Sequence, residues 1–309
     1  MKSAKCLIVL TAVIGCFYTV QLDACSVCRC GDNAFLFSER GFGLPGQTEL
    51  QRFWFSVGNL YSTKSNALTG DEGTGTERQR EIRPSLRMAF NPSQHASFML
   101  ELPLQYRRIV VTTADATDRE RSSGVGDLEL STVWTHTLSS NNGRFYTGGL
   151  AIVAKLPTGS NNLRQMGERL DEHLQAGTGT VDWQLGAAAS RLTCTSRFFT
   201  SVYYRRNGTN DFGYHYGNAV LFNLGAERPL IAGLTGSLQV NGRYADRDHE
   251  IADMVENTGG WVAYISPGLR LSLTQALGIS AAVQVPVYQN LYGVQSEKAV
   301  LSTGLSVTF

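Results

Sequence analysis

The chain closes with Glu297-Lys-Ala-Val-Leu-Ser-Thr-Gly-Leu-Ser-Val-Thr-Phe309, a stretch whose side chains alternate in character. The larger and more apolar ones share one face: Leu301, Thr303, Leu305, Val307 and Phe309. The small or hydroxylated ones share the other: Val300, Ser302, Gly304, Ser306 and Thr308. A period of two residues is the period of a β-strand. The stretch therefore predicts a final strand, which on its own fits a membrane barrel or the last strand of a soluble sandwich.

Composition sets the first limits on fold and function. The chain has 309 residues, of which 42% are hydrophobic and 17% charged. This length allows one large domain or two small ones. The formal net charge is +1. Because there is no basic excess, nothing in the composition indicates a nucleic-acid partner.

The N-terminus has the pattern of a secretory signal peptide over residues 1–24. Lys2 and Lys5 precede an apolar run at residues 6–20, and Ala24 is a small residue before the expected cleavage site. The run is too short to span a membrane as a helix. Cleavage would leave Cys25 as the first mature residue. Leu22-Asp-Ala-Cys25 also has the form of a lipoprotein cleavage box, in which Cys25 would be acylated.

From residue 48 onward, segments of about ten to fifteen residues alternate in polarity. Short and long breaks take turns between them. An up-and-down membrane barrel has this arrangement, with short periplasmic turns and long outer loops, whereas a soluble sandwich has no reason to sort its loops by length. The predicted strands span residues 48–60, 79–91, 95–109, 125–138, 143–157, 178–192, 195–206, 213–228, 234–246, 259–274, 276–288 and 297–309. The long breaks fall at 61–78, 110–124, 158–177, 207–212, 247–258 and 289–296.

The two faces of the predicted strands differ in charge. In the segment 79–91, Ile82 and Leu86 lie on one face, and Arg83 and Arg87 lie on the other. A soluble barrel would bury the apolar face, whereas a membrane barrel turns it to lipid and keeps a polar lumen. The signal peptide, the sorted loops and the terminal Phe309 together favour the membrane arrangement. The sequence therefore predicts an all-β fold, a transmembrane up-and-down antiparallel β-barrel of about 12 strands in the outer membrane.

Four stretches of the chain carry a resemblance to a known family. They are Gly124-Val-Gly-Asp-Leu-Glu-Leu130, Lys155-Leu-Pro-Thr-Gly159, Gly177-Thr-Gly-Thr-Val-Asp-Trp-Gln-Leu-Gly186 and Gln284-Val-Pro-Val-Tyr-Gln-Asn-Leu-Tyr-Gly-Val-Gln295. In this order they resemble the outer-membrane β-barrel transporters of the phenol meta-cleavage pathway, which are distantly similar to long-chain fatty-acid transporter type channels. The resemblance covers residues 48–309 and implies import of small, aromatic compounds. No substrate residue carries over. The terminal Phe309 resembles the closing aromatic of bacterial outer-membrane barrels, which implies recognition by the barrel assembly machinery.

Residues 25–47 form a Cys-rich leader before the barrel at 48–309. It hangs in the periplasm or enters the lumen as a plug. Cys25, Cys28 and Cys30 lie in this leader, and Cys194 is expected in a periplasmic turn at the same end of the barrel. In an exported protein these thiols can form disulfides, and four cysteines allow three full pairings. Closely spaced thiols also suit a soft metal such as Cu(I). Disulfide, metal site, lipid anchor and free thiol all remain open.

Charged residues on the predicted inner faces are candidates for solute selection. Charges that line a pore select solutes by field and size. Alternatively, they pair as a ladder of salt bridges that fills a narrow lumen. The set comprises Arg83, Arg87, Glu101, Arg107, Asp127, Glu129, Asp182, Arg197, Arg205, Arg243 and Arg270.

Two predicted outer loops cluster carboxylates with a histidine, in Glu168-Arg-Leu-Asp-Glu-His173 and Asp246-Arg-Asp-His-Glu250. Such groups can bind divalent cations, although solvated loop charge is the interpretation that we prefer. The histidines are scattered, and no spacing supports a catalytic triad. The sequence therefore does not predict an enzyme.

Together these patterns predict an outer-membrane channel for passive uptake of small solutes, with hydrophobic or aromatic compounds among them. Two alternatives remain open. In the first, the cysteine head binds copper or a redox partner and the barrel is its scaffold. In the second, the barrel is a structural surface protein with a closed lumen.

Overall fold

The computed structural model describes residues 52–68, 75–93, 95–114, 116–141 and 144–309. The predicted signal peptide, the leader at 25–47 and the first residues of the predicted opening strand lie outside this part of the chain. The described residues contain one short 3₁₀ helix, Glu172–Leu174. Within these ranges no helix is long and apolar enough to cross a membrane.

Twelve long strands dominate the structure. Two of them are interrupted: the fourth breaks at Gly126 and Asp127, and the twelfth breaks at residues 298–299. Shorter two-residue strands lie in the loops. The long strands are β1 Phe53–Leu68, β2 Gly75–Ser93, β3 Ala96–Thr113, β4 Thr117–Val125 with Leu128–Asn141, β5 Arg144–Leu156, β6 Asp182–Leu192, β7 Arg197–Arg206, β8 Ala219–Ile231, β9 Leu234–Ala245, β10 Gly260–Ser272, β11 Leu277–Leu291 and β12 Gln295–Glu297 with Val300–Thr308.

Each strand pairs antiparallel with its neighbour in sequence, and the last pairs with the first. The seam between β1 and β12 runs from Trp54 opposite Thr308 to Tyr61 opposite Leu301. At its end, the Phe309 amide donates to the Phe53 carbonyl at 2.9 Å. The sheet is therefore a closed 12-strand barrel with up-and-down connections, and the predicted fold class is confirmed. Closure removes the open edges of the paired ring, whereas the first segment of β4, Thr117–Val125, projects beyond the ring and pairs with β3 alone.

Two of the predicted long loops are mostly strand. Strands β1 and β2 pair continuously as far as Leu68 opposite Gly75, and β3 and β4 as far as Thr112 opposite Thr117. The predictions of loops at 61–78 and 110–124 were therefore wrong in extent. In the first segment of β4 the side chains are exposed or half-buried on both faces. In these hairpin ends the backbone pairing continues, but the alternation of apolar and polar side chains does not. The sequence pattern therefore ended before the strands did.

The side chains of the barrel wall alternate as the sequence predicts. Leu86 is 49% exposed and Leu150 is 63% exposed, whereas Glu81 and Arg243 are each 1% exposed. This distribution is the reverse of a soluble protein, in which ionised side chains are almost never fully buried without partners. A belt of exposed apolar side chains around a polar interior is the arrangement of a barrel in lipid.

Candidate functional site: the barrel interior and its roof

The predicted lumen residues all lie on the inner face of the wall. Ten of them are buried or nearly so, and Arg270 is half-buried. The structure therefore brings the set together inside the barrel, as the alternation of the strands requires. Their role in selecting solutes stays a prediction.

Cations inside the wall form ion pairs with acids, and most of these pairs join adjacent strands. The sequence interpretation missed four of the charged partners, Glu81, Lys155, Glu227 and Glu297. The first three lie on the polar faces of their predicted strands. Glu297 has the parity of the apolar face and turns inward, opposite Lys64, because β12 breaks at residues 298–299. Removing one partner of a buried pair typically costs about 3–5 kcal/mol, because a charge is left uncompensated. The pairs are Arg87–Glu101 at 3.1 Å, Arg107–Glu81 at 3.1 Å, Arg197–Glu227 at 3.3 Å, Lys155–Asp127 at 3.5 Å, Lys155–Asp182 and Arg243–Glu297.

The loop between β5 and β6, residues 157–181, folds back onto the barrel interior. Leu174 is fully buried and Gln175 is 1% exposed. Arg107, on the inner face of β3, donates to the carbonyl oxygens of His173 at 3.1 Å and Gln175 at 2.6 Å. We call this loop, together with the loops at 207–218 and 246–259, the roof.

Asp127 fastens the roof to the wall at the break in β4. Its carboxylate accepts hydrogen bonds from the Gly159 amide at 3.0 Å, the Thr178 amide at 2.8 Å and the Thr178 hydroxyl at 3.0 Å. A Cβ on Gly177 would lie 2.5 Å from both the Asp127 carboxylate and the Gly159 carbonyl oxygen. Three of the stretches that carry the family resemblance therefore meet here, and their glycines permit the close approach.

The other two roof loops are held by buried polar contacts. The Tyr214 hydroxyl donates to Asp248 at 2.9 Å, and the Gly217 amide donates to the same carboxylate at 2.8 Å. The Tyr216 hydroxyl donates to the Glu172 carbonyl at 3.0 Å. Glu172 and Asp248 are only 5% and 7% exposed. The preferred interpretation of these loop carboxylates as solvated charge is therefore wrong for both residues.

Burial changes the acidity of the two roof tyrosines. It raises the pKa of Tyr214 above its ordinary value, and the nearby Asp248 carboxylate adds to the rise. Burial likewise raises the pKa of Tyr216, with the Glu172 carboxylate adding to it. Both hydroxyls therefore remain neutral donors over the physiological range.

Two small cavities lie beneath the roof. One, of about 50 Å³, is lined by residues that include Arg107, Asp127 and Lys155. The other, of about 40 Å³, is lined by residues that include Lys64 and Arg205. Spaces of this size hold water molecules rather than a larger solute.

The cysteine predictions are only partly addressed by the described residues. Cys194 is a free, exposed thiol in the turn between β6 and β7, at the same end of the barrel as Phe309. Cys25, Cys28 and Cys30 lie outside the described residues, so a disulfide, a Cu(I) site and acylation stay predictions. Among the described residues, no group of three His, Cys, Asp or Glu side chains is arranged to hold a metal ion.

Comparison with known proteins gives matches among solved structures only. No family model and no curated protein matches the sequence. The COG4313 outer membrane channel from Pseudomonas putida F1 has a TM-score of 0.65 and 13% identity, and the match covers 86% of this chain and 99% of that one. The translocator domain of NalP from Neisseria meningitidis has a TM-score of 0.46 and 6% identity, over 85% and 90% of the two chains. The Ralstonia pickettii toluene transporter TbuX has a TM-score of 0.44 and 10% identity, over 84% and 90%. The first likeness shows that this chain has the fold of an outer-membrane β-barrel.

Proposed function

We propose that the protein is an outer-membrane channel for the passive movement of small solutes. The observation that carries the proposal is the inverted wall, with apolar side chains outside and paired charges inside. In lipid every backbone polar group must be satisfied within the protein, and a closed barrel achieves this. The exposed belt needs lipid around it, and the polar interior supplies a hydrated path.

The interior charges are the proposed basis of selectivity. Fixed charges along a narrow path favour solutes of complementary charge and suitable size. Arg87 and Glu101 face each other across β2 and β3 at 3.1 Å, so the wall presents both signs close together. The roof narrows the path at the long-loop end, and the leader at 25–47 is the proposed gate or plug at the other end.

The class of solute is proposed on the sequence resemblance. That resemblance implies small, hydrophobic or aromatic compounds. The charged interior favours a solute that carries a polar substituent, because such a group can form hydrogen bonds along the path. A purely apolar solute would displace water from the charges without replacing its hydrogen bonds.

Planar-bilayer recordings test the channel directly. We expect measurable single-channel conductance from the mature protein, and larger conductance from a variant that lacks residues 25–47. An Arg87→Gln variant should shift the reversal potential in a salt gradient, because it removes a cation from the lumen. Arg78→Gln is the matched control, since Arg78 is exposed. Conductance near zero in both the mature protein and the truncated variant would overturn the channel.

Current block tests the solute class. Phenol should reduce or interrupt the open current at concentrations at which glycerol has no effect, because an aromatic solute that occupies the path displaces ions. Equal effects of the two compounds would remove the aromatic preference and leave the channel itself intact.

A further inference from the structure

A cavity of about 440 Å³ opens at the rim of the long-loop end, where three parts of the chain meet. His215 comes from the loop between β7 and β8. His249 and Met254 come from the loop between β9 and β10, and Tyr292 follows β11. The volume lies within the range of small-ligand sites. Neither the proposed solute path nor the roof contacts described above account for this cavity.

Three of its side chains lie in one row. The loop strands Tyr214–His215, His249–Glu250 and Asp253–Met254 form a three-stranded antiparallel ladder. Within it His215 is directly opposite His249, and His249 is directly opposite Met254. Residues directly opposite in adjacent strands project to the same face with Cβ atoms about 4.5–5.5 Å apart. Two imidazoles and a thioether are therefore neighbours on the face that lines the cavity.

The other face of the ladder anchors it. Tyr214, next to His215 in its strand, points the opposite way and is 4% exposed. Its hydroxyl donates to Asp248 at 2.9 Å, within the roof. Because the ladder is attached to the roof through this face, its His and Met row is turned outward to the cavity.

A strained turn maintains the pairing of His249 with Met254. Ile251, at the start of the connection between their strands, has φ 56°. A β-branched side chain in this left-handed region is uncommon, because its Cβ lies too close to the following carbonyl oxygen. The Ile251 amide donates to the Gly213 carbonyl at 2.9 Å, which helps to hold the turn. Strain that is retained at a loop tip is a recurrent feature of functional sites.

The hydrogen bonding of His215 suits a metal ligand. Its Nδ1 lies 3.1 Å from the Gly208 carbonyl oxygen. A ring nitrogen that donates to a carbonyl fixes the tautomer and leaves Nε2 as the electron-pair donor, which is the usual outer-shell arrangement around a ligating histidine.

The ligand types select the metal. Zinc sites are built from Cys, His and acidic side chains. The described residues provide no group of three such side chains with the required arrangement. A thioether favours Cu(I), and imidazole binds copper readily. We propose that His215, His249 and Met254 form a Cu(I)-binding site at the outer rim. This site shares no residue with the cysteine leader and does not depend on the channel proposal.

The test is a competition titration on the full mature protein. Its thiols are first blocked with N-ethylmaleimide, because thiolates also bind Cu(I). Under anaerobic conditions the protein competes with a chromogenic Cu(I) chelator. We expect one tightly bound copper per chain. Met254→Leu and His249→Gln should each weaken binding by more than about tenfold, since even loss of an outer-shell partner costs 10–100-fold.

His95→Gln is the matched control. The His95 ring lies 5.8 Å from that of His136, so this pair offers two imidazoles without a thioether. Its copper affinity should equal that of the unsubstituted protein. Mobility on unheated gels verifies that each barrel is folded. The proposal is overturned if the thiol-blocked protein does not compete for Cu(I), if Met254→Leu binds as tightly as the parent, or if Zn(II) displaces the copper.

Discussion

At the short-turn end of the barrel each hairpin closes within two to four residues, and its contacts are between adjacent strands. Phe53 stacks on Phe90 with ring centroids 5.2 Å apart, and Phe55 meets Phe309 edge-on at 6.0 Å. At the long-loop end the loops hold one another. Asp127 binds Thr178, which is 51 positions away, and Tyr214 binds Asp248, which is 34 away.

The two ends differ in how their backbone amides and carbonyls find hydrogen-bond partners. A two-residue turn satisfies its own hydrogen bonds, so it needs no partner from elsewhere. A loop of the length of 157–181 can fold inward only if its buried amides and carbonyls find partners. Asp127 and Arg107 provide them from the wall. The roof is therefore a tertiary structure, whereas the short-turn end is a series of local ones.

Removal of the Asp127 carboxylate should produce the largest effect. Asp127→Ala leaves the Gly159 and Thr178 amides without their acceptor and Lys155 without one of its two carboxylates. We expect a loss of about 3–5 kcal/mol, as for other broken buried pairs. Because the loss is concentrated in the roof, trypsin should cleave after Arg164 and Arg169 much faster than in the parent. The urea midpoint measures the change in stability.

Asp118→Ala is the control, because Asp118 lies on the first segment of the same strand and is exposed. It removes the same charge and should change neither trypsin cleavage nor the urea midpoint. If Asp127→Ala has the same trypsin cleavage and urea midpoint as Asp118→Ala, the roof is not held through β4. The proposed difference between a tertiary roof and a local short-turn end would then be wrong.

The same contrast explains how much of the molecule can be predicted from the sequence. The wall is predictable because each strand repeats one rule, as where Ile82 faces out and Arg83 faces in. The short turns are predictable because the alternation of apolar and polar residues stops at each of them. The outward face of the closing strand, which ends at Phe309, is predictable from the same alternation.

The roof is not predictable in this way, because its contacts have no period. The acceptor role of Asp127 depends on amides from two distant segments, and nothing near Glu172 or Asp248 in the sequence indicates that they are buried. Gly126, Gly159 and Gly177 were a usable signal of this contact, because the three segments can approach so closely only where the residues lack a Cβ. The row formed by His215, His249 and Met254 likewise exists only once two loops pair.

Alkaline pH should weaken the roof by a smaller amount. An unfolded tyrosine ionises near pH 10, while Tyr214 and Tyr216 keep their protons to higher pH in the folded protein. Above about pH 10 the unfolded chain therefore binds fewer protons than the folded one, so stability falls as pH rises. Each tyrosine contributes about 1.4 kcal/mol per pH unit in this window. Thermal unfolding between pH 9 and pH 11 (about one unit on each side of the ordinary value) measures the slope.

A double variant, Tyr214→Phe with Tyr216→Phe, should have a shallower slope than the parent. Tyr288→Phe is the control, because Tyr288 is 54% exposed on the outer face of the wall. The prediction requires the double variant to lose more of the slope than this control does. An unaltered slope in the double variant would show that the roof tyrosines do not govern the alkaline response of this end.

Phe309→Ala should have the smallest effect on stability and a separate effect on assembly. Phe309 is 71% exposed, and its contact with Phe55 is worth about 0.5–1.5 kcal/mol. We therefore expect a shift of about 1 kcal/mol in the purified barrel. If the barrel assembly machinery recognises the terminal aromatic, less Phe309→Ala protein should reach the outer membrane, as quantified by heat-modifiable gel mobility of membrane fractions. Phe55→Ala removes the same ring contact and leaves the terminus intact. Equal losses from the two variants would reduce the role of Phe309 to local packing, like every other contact at the short-turn end.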